Sequence, residues 1–130
     1  MIQTVALGGA NAKSGYFSAP GILGNYSVTG IPFRPKAVQL WCSKNDGQQT
    51  WFHISHGLID ENRNQSVAFA LGNYSNIFRG VTYTNKCIYV VSSGWAEQVV
   101  ATYVSMNNNG FTLNFTATNS IFIIRWLAIG

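Results

Sequence analysis

Charge is scarce in this 130-residue sequence: 9% of its residues are Asp, Glu, Lys or Arg, against roughly 25% in an average globular domain. Acidic residues are even fewer than basic ones. There are four of them, Asp46, Asp60, Glu61 and Glu97, and three of these lie in turn-like sequence. Acid–base catalysis of glycoside cleavage needs two carboxylates held across a cleft. The sequence also has no nucleophile-elbow, P-loop or dinucleotide-binding motif. We therefore expect a protein that is not an enzyme.

The eight basic residues give a net charge of +4 but never form a run. A nucleic-acid site normally needs a basic stripe or patch, so we expect no nucleic-acid partner.

Long hydrophobic runs are missing too. The most apolar stretch, SIFIIRWLAI, is about half the length of a membrane-spanning helix and contains Arg125. The N-terminal residues do not resemble a signal peptide, and we expect a protein made in a cytoplasm and not inserted in a membrane.

Cysteine is equally scarce, since Cys42 and Cys87 are too few for a disulfide scaffold. Each lies in an apolar, strand-like run, so we predict buried free thiols rather than a bridge.

His53 and His56 form an H-x-x-H pattern, which can hold a metal on a helix. On a strand, residues three apart point to opposite faces. We therefore expect no metal and no cofactor.

The sequence is rich in residues that alternate with a period of two. KAVQLWCS, EQVVATYVSM and GFTLNFTAT all alternate in this way, and clusters such as SKNDGQQ, DENRN and NNNG separate the runs. Eight to ten short strands at this spacing predict an all-β fold, a single-domain antiparallel β-sandwich of jelly-roll type. We expect residues 1–15 to form an N-terminal arm or edge strand and residues 16–130 the sandwich. Ile2, Val5 and Leu7 of the arm are candidate interface residues.

The last 32 residues contain the clearest hairpin. Asn109-Gly110 predicts a tight turn that pairs Val99–Met106 with Gly110–Thr118. The final strand is apolar on both faces, which indicates a central strand, buried on both sides or covered on one side by another subunit. Arg125 lies in the middle of one face. It is either an interface residue near a symmetry axis or a residue near a strand end whose side chain reaches solvent.

Aromatic residues beside amides mark a candidate binding surface. LGNYSNIFRG places Tyr74, Asn76 and Arg79 in one segment, and SSGWAEQ places Trp95 just after a glycine. Ring faces with amide and arginine donors are typical of carbohydrate sites. The alternative is that these aromatic residues cap the ends of the sandwich or pack on another subunit. We predict a sugar or partner surface that includes Tyr74, Asn76, Arg79 and Trp95.

Two segments resemble known families. VTGIPFRPKAVQLWCS (residues 28–43) resembles the opening of small β-sandwich modules in phage virion proteins, and VSMNNNGFTLNFTATNSIFIIRWLAIG (residues 104–130) resembles their close. The latter is also similar to the end of the H-type lectin domain. That resemblance implies a lectin-like sandwich that binds N-acetylgalactosamine-type sugars between protomers through a Trp-His pair. Here Ala117, Thr118 and Asn119 stand in place of that pair.

The resemblance implies a virion-surface protein, made in the host cytoplasm and commonly a homotrimer. The function expected first is that of a capsid decoration (cement) protein, which binds the major capsid protein and stabilises the shell. The alternative is a receptor-binding module of a tail fibre or spike, which would contact tail proteins and recognise host surface polysaccharide.

Overall fold

The computed structural model describes residues 11–44, 51–73, 77–92 and 94–130, which form ten β-strands and no helix. No helix in this part of the chain is long and apolar enough to span a membrane. In chain order the strands are β1 (Ala12–Ser18), β2 (Gly24–Val28), β3 (Ala37–Lys44), β4 (Trp51–Asp60), β5 (Gln65–Asn73), β6 (Ile77–Tyr83), β7 (Ile88–Val91), β8 (Glu97–Asn107), β9 (Gly110–Ala117) and β10 (Phe122–Ile129).

The strands form two antiparallel sheets that pack as a sandwich, which confirms the predicted fold class. One sheet has six strands in the order β1-β10-β3-β4-β5-β6, and the other has four in the order β2-β9-β8-β7. Short connections keep β3 to β6 in one sheet and β7 to β9 in the other, as expected for antiparallel meanders. The core between the sheets consists of large apolar side chains, among them Leu40, Phe111, Phe115 and Ile124.

The final strand is central, as the sequence predicts. β10 is hydrogen-bonded to β1 on one side and to β3 on the other. Its inward residues Phe122, Ile124, Trp126 and Ala128 are buried, whereas Arg125 on the other face is exposed. Because β10 links the first strand to the third, the sheet is complete only when the end of the chain is in place.

The predicted hairpin is present, but its turn is one residue earlier than expected. β8 pairs with β9, and Asn107 lies opposite Gly110, so the turn residues are Asn108 and Asn109. Gly110 belongs to the strand and has a φ of 158°, which residues with a side chain rarely adopt. Glycine is required there for a second reason as well: a Cβ atom would overlap the carbonyl oxygen of Val28.

β1 crosses the boundary that the sequence suggests at residue 15. It begins at Ala12 and pairs along its whole length with β10, from Ala12 opposite Ile129 to Ser18 opposite Ile123. Residues 12–15 are therefore part of the edge strand of the six-stranded sheet. The candidate interface residues Ile2, Val5 and Leu7 lie outside the described residues.

The edge strand β7 of the smaller sheet lies against β4 of the larger one. The backbone N–H of Tyr89 donates a hydrogen bond of 3.2 Å to Oγ of Ser55, a buried polar side chain on the inner face of β4. This bond satisfies a buried hydroxyl and ties one sheet to the other. Both cysteines are buried free thiols, as predicted.

Candidate functional site

The outer face of the six-stranded sheet carries a row of exposed side chains from six different strands. The pairing register places Tyr16 opposite Arg125, Arg125 opposite Trp41 and Trp41 opposite His56. The row continues through Ala68 to Thr82 on β6. Neighbouring strands are about 4.8 Å apart, so six strands give a row about 24 Å long. We refer to Tyr16, Arg125, Trp41 and His56 as the aromatic row.

Neighbouring members of the aromatic row contact each other in two pairs. The guanidinium carbon of Arg125 lies 5.7 Å from the centre of the Tyr16 ring. This distance is within the range of a cation–π contact. The rings of Trp41 and His56 stack with centroids 5.1 Å apart and an interplanar angle of 7°. Tyr16 is nonetheless 71% exposed and Trp41 36% exposed, so their remaining surface is available to a ligand.

Two grooves flank the Trp41–His56 stack. One groove of about 460 Å³ lies on the Trp41 side and includes Ser14, Tyr16, Arg125 and Leu127 in its lining. A second groove of about 340 Å³ lies on the His56 side, over β4, β5 and β6. Both volumes are in the range of small-ligand sites. We call the first of these, between Tyr16 and Trp41, the arginine groove.

Arg125 has no charged neighbour in the rows of this face that adjoin its own. The rows on either side of the aromatic row contain only uncharged residues, namely Ser14, Leu127, Gln39, Leu58 and Ser66 on one side and Ser18, Ile123, Ser43, Ile54, Ala70 and Gly80 on the other. All residues of these three rows are described, and Arg125 is the one with a fixed charge. The site therefore combines aromatic and apolar surface with a single permanent cation.

The outer face of the four-stranded sheet is different, because its polar side chains bond to each other. Ser27 and Thr112 share a hydrogen bond of 2.7 Å, and Asn107 donates one of 2.9 Å to Thr112. Asn114 likewise donates to Asn25 across β2 and β9, at 2.8 Å. Such a face has already used much of its hydrogen-bonding capacity within the protein. The six-stranded sheet therefore offers the better surface for a ligand.

No family model matches the chain, and no curated protein matches it. Among solved structures, the tailspike protein of an Acinetobacter phage is similar over 92% of this chain, with 4% identity and a TM-score of 0.40. This chain spans 21% of that tailspike chain. A galectin of Caenorhabditis elegans is similar over 88% of this chain and 91% of its own, with 14% identity and a TM-score of 0.20. Neither likeness assigns the chain to a family.

The two described residues of the suggested sugar site, Trp95 and Arg79, are not members of the aromatic row. Trp95 is in the turn between β7 and β8, 47% exposed and with a left-handed backbone of φ 67°, which is uncommon for a bulky residue. Arg79 is in β6, opposite Leu71. Tyr74 and Asn76 lie outside the described residues. Whether these four residues act together stays a prediction.

The two histidines point to opposite faces of β4, as the sequence predicts for a strand. His56 stacks on Trp41 at the outer face, whereas His53 lies edge-on to the inward Phe122, with ring centroids 5.5 Å apart. In the described ranges, no group of three His, Cys, Asp or Glu side chains is close enough to hold a metal ion.

Asp60 stabilises the turn after β4. Its carboxylate accepts hydrogen bonds from the backbone N–H groups of Asn62 and Asn64, at 2.9 and 3.0 Å, and from the side-chain amide of Asn64. These bonds, first that from the side chain of Asn64, lower the pKa of Asp60. The carboxylate of Asp60 therefore acts as the hydrogen-bond acceptor that closes this turn, in agreement with the turn-like sequence.

Proposed function

We propose that this chain is a non-enzymatic attachment protein of a virion surface, which recognises carbohydrate through the aromatic row. The observation that carries the proposal is the arginine groove, in which exposed faces of Tyr16 and Trp41 flank an exposed arginine. A sugar ring has apolar C–H faces and a polar rim. It can therefore pack on an aromatic face while its hydroxyl and acidic groups bond to polar neighbours.

The position of the groove supports this reading. It lies on regular strands, with Trp41 and Arg125 on β3 and β10 near the middle of the sheet. Sites on rigid elements hold their side chains more accurately than sites on loops. The stack with His56 further restricts the Trp41 ring. A ligand would therefore lose little affinity to the ordering of these side chains.

The virion assignment is supported by the resemblance of residues 28–43 and 104–130 to β-sandwich modules of phage virion proteins. The expected homotrimer would fit such a role, because several weak sugar sites on one particle bind a repetitive polysaccharide far more tightly than one site does. The trimer is part of this proposal.

Substitution of Trp41 tests the proposed site. We expect the wild-type protein to bind one or more members of an array of bacterial surface polysaccharides. Trp41→Ala should reduce that binding by at least about tenfold, since stacked aromatic contacts are worth on the order of 1 kcal/mol or more beyond their burial. Trp95→Ala is the matched control, because it removes an exposed tryptophan outside the aromatic row. Circular dichroism and thermal melting should show that both variants are folded.

The control also tests the loop site that the sequence suggested. If Trp95→Ala lost binding and Trp41→Ala retained it, the site would lie at the turn between β7 and β8. If the wild-type protein bound no polysaccharide on the array, the carbohydrate proposal would be wrong.

Capsid decoration is the second candidate, favoured by the apolar residues beside the aromatic row. Ile54 and Leu58 on β4 are 51% and 43% exposed, a surface suited to packing on another protein. A decoration protein binds the assembled shell and stabilises it by mass action. In that case, particles that lack the protein should release DNA at a lower temperature than complete particles. Particles carrying an Ile54→Ser, Leu58→Ser variant should behave like particles that lack it. Equal heat stability of stripped and complete particles would contradict this role.

A further inference from the structure

We infer that the arginine groove selects an acidic sugar, with the carboxylate of the sugar on the guanidinium of Arg125 and its ring against Tyr16 or Trp41. This inference rests on the proposed carbohydrate function and names the ligand class for the same site. The inference comes from the positive charge of Arg125 in the groove, which the packing of a sugar on aromatic surface does not require.

Arg125 has no acidic side chain next to it in its own row or in the adjoining rows. Its cross-strand neighbours are Tyr16 and Trp41, and none of the residues in the adjoining rows is acidic. Of the acids within the described residues, Asp60 bonds to its own turn, Glu61 follows it, and Glu97 begins β8 in the other sheet. An arginine is charged at every physiological pH. The groove thus presents a cation with no carboxylate from the rows around it.

The number of cations in the arginine groove distinguishes a carboxylate ligand from a phosphate ligand. A guanidinium has donors in a planar fork that match the two oxygens of a carboxylate. Phosphate sites in proteins usually gather several donors, such as clustered Lys and Arg residues or the N–H groups at a helix N-terminus. The described lining of the groove has one cation and belongs to strands alone. A single carboxylate therefore matches the groove better than a phosphate group does.

The rest of the lining of the arginine groove matches the other groups of a sugar. Tyr16 and Trp41 provide ring surface on the two sides of Arg125, and the hydroxyl of Ser14 lies in the same lining. A sugar acid has the complementary groups. Its C–H face can pack on the ring of Tyr16 or Trp41, its hydroxyls can bond to Ser14, and its carboxylate lies within the width of one sugar ring from both. A free carboxylate without a ring would use Arg125 but leave the aromatic surface uncovered.

A pair of probes that differ only at C6 tests the inference. Methyl β-D-glucuronide has a carboxylate where methyl β-D-glucoside has a hydroxymethyl group. Each sugar is titrated into ¹⁵N-labelled protein, and the indole N–H signal of Trp41, assigned with the Trp41→Ala variant, reports binding in the millimolar range. We expect the glucuronide to bind about tenfold more tightly than the glucoside, since a charge-assisted pair is stronger than a neutral hydrogen bond. Added salt should reduce the difference.

Two variants with the same change in net charge give the control. Arg125→Gln should make the two sugars bind equally, whereas Arg34→Gln, which removes an exposed arginine outside the sheet, should preserve the preference. Equal binding of both sugars to the wild-type protein would overturn the inference and leave the proposed function standing. A preference that survives Arg125→Gln would overturn it as well, because the carboxylate would then bind elsewhere. If neither sugar shifted the Trp41 signal, the inference would be wrong, and the polysaccharide array would decide the proposed function separately.

Discussion

Replacement of Gly57 by alanine is expected to prevent the two sheets from packing. Gly57 lies on the inner face of β4, where the chain just before β7 crosses it. A Cβ atom at this position would overlap the carbonyl oxygen of Cys87 and lie 2.9 Å from its carbonyl carbon and 3.2 Å from the carbonyl oxygen of Ser66. All three are backbone atoms, so no change of rotamer can relieve the overlap.

The expected loss is larger than for an ordinary core substitution. Added methyl groups in a packed core typically cost 1–3 kcal/mol when side chains can adjust. Here the sheets themselves must move apart, and we expect a loss of more than about 3 kcal/mol or a failure to fold. The same strands carry the bond from Tyr89 to Ser55, so a displacement of β7 would also leave a buried hydroxyl without its partner.

Gly80→Ala is the matched control. It lies in β6 of the same sheet, and the nearest atom to its Cβ would be the carbonyl oxygen of Phe69, at an ordinary 3.8 Å. Soluble yield and urea unfolding of the two variants measure the difference. Similar unfolding midpoints for Gly57→Ala and Gly80→Ala would show that the sheets can separate at low cost, contrary to the structure.

The strand pattern of this fold is readable from the sequence because alternation directly reports which side of a strand is buried. β10 is an exception, because both of its faces are apolar. The sequence predicts a central strand but not which face is buried, and the structure buries Phe122, Ile124 and Trp126 and exposes Arg125. The hairpin of β8 and β9 is local, so its pairing also follows from the sequence. The turn lies one residue earlier than the pattern predicts, because the pattern cannot show that Gly110 lies against the backbone of Val28.

The aromatic row could not be predicted, because its members come from four segments that are far apart in sequence. Alternation places Trp41 on β3 and Arg125 on β10, but it does not say that these strands are neighbours. The order of strands in the sheet, with the last strand between the first and the third, brings Tyr16, Arg125 and Trp41 into register. A usable signal was present: Trp41 shares its strand face with Gln39, away from the buried Val38 and Leu40.

Loop residues and strand residues are weighted differently when a site is predicted from sequence. Aromatic residues next to glycine and asparagine, such as Trp95, stand out in a sequence because loops concentrate binding residues in many folds. A large aromatic residue within a strand is instead attributed to the core. In this protein the outer face of the six-stranded sheet combines aromatic side chains with one cation among uncharged residues. That combination becomes visible only once the register is known.

We expect strongly alkaline pH to lower the free energy of unfolding of this protein, at pH values too low to damage the peptide backbone. Burial raises the pKa of Cys42 and that of Cys87 to about 12. The thiol of Cys87 also donates a hydrogen bond to the carbonyl oxygen of Ala101 at 3.5 Å, which it can do only while protonated. Burial, followed by the hydrogen bond with Tyr83, raises the pKa of Tyr89 to about 12 as well.

The sign follows from proton binding in the two states. In the unfolded chain a cysteine thiol loses its proton above about pH 8.5 and a tyrosine above about pH 10. The folded protein keeps these protons up to about pH 12. The unfolded state therefore binds fewer protons between these limits, and the free energy of unfolding falls as the pH rises through them. Below about pH 8 these groups are protonated in both states, so they contribute almost nothing to the pH dependence of stability.

The loss can be assigned to the thiols with a single pair of proteins. Each pKa unit corresponds to about 1.4 kcal/mol, so each thiol should cost roughly 2 kcal/mol of stability between pH 8 and pH 10.5. Urea unfolding of the wild-type protein at these two pH values, under reducing conditions, measures the total loss. In a Cys42→Ala, Cys87→Ala variant the loss over the same interval should be smaller by about 4 kcal/mol, whatever the substitutions cost at pH 8. If the variant lost as much stability as the wild type, the thiols would be ionising in the folded protein, and the core around β3 and β7 would have to admit water.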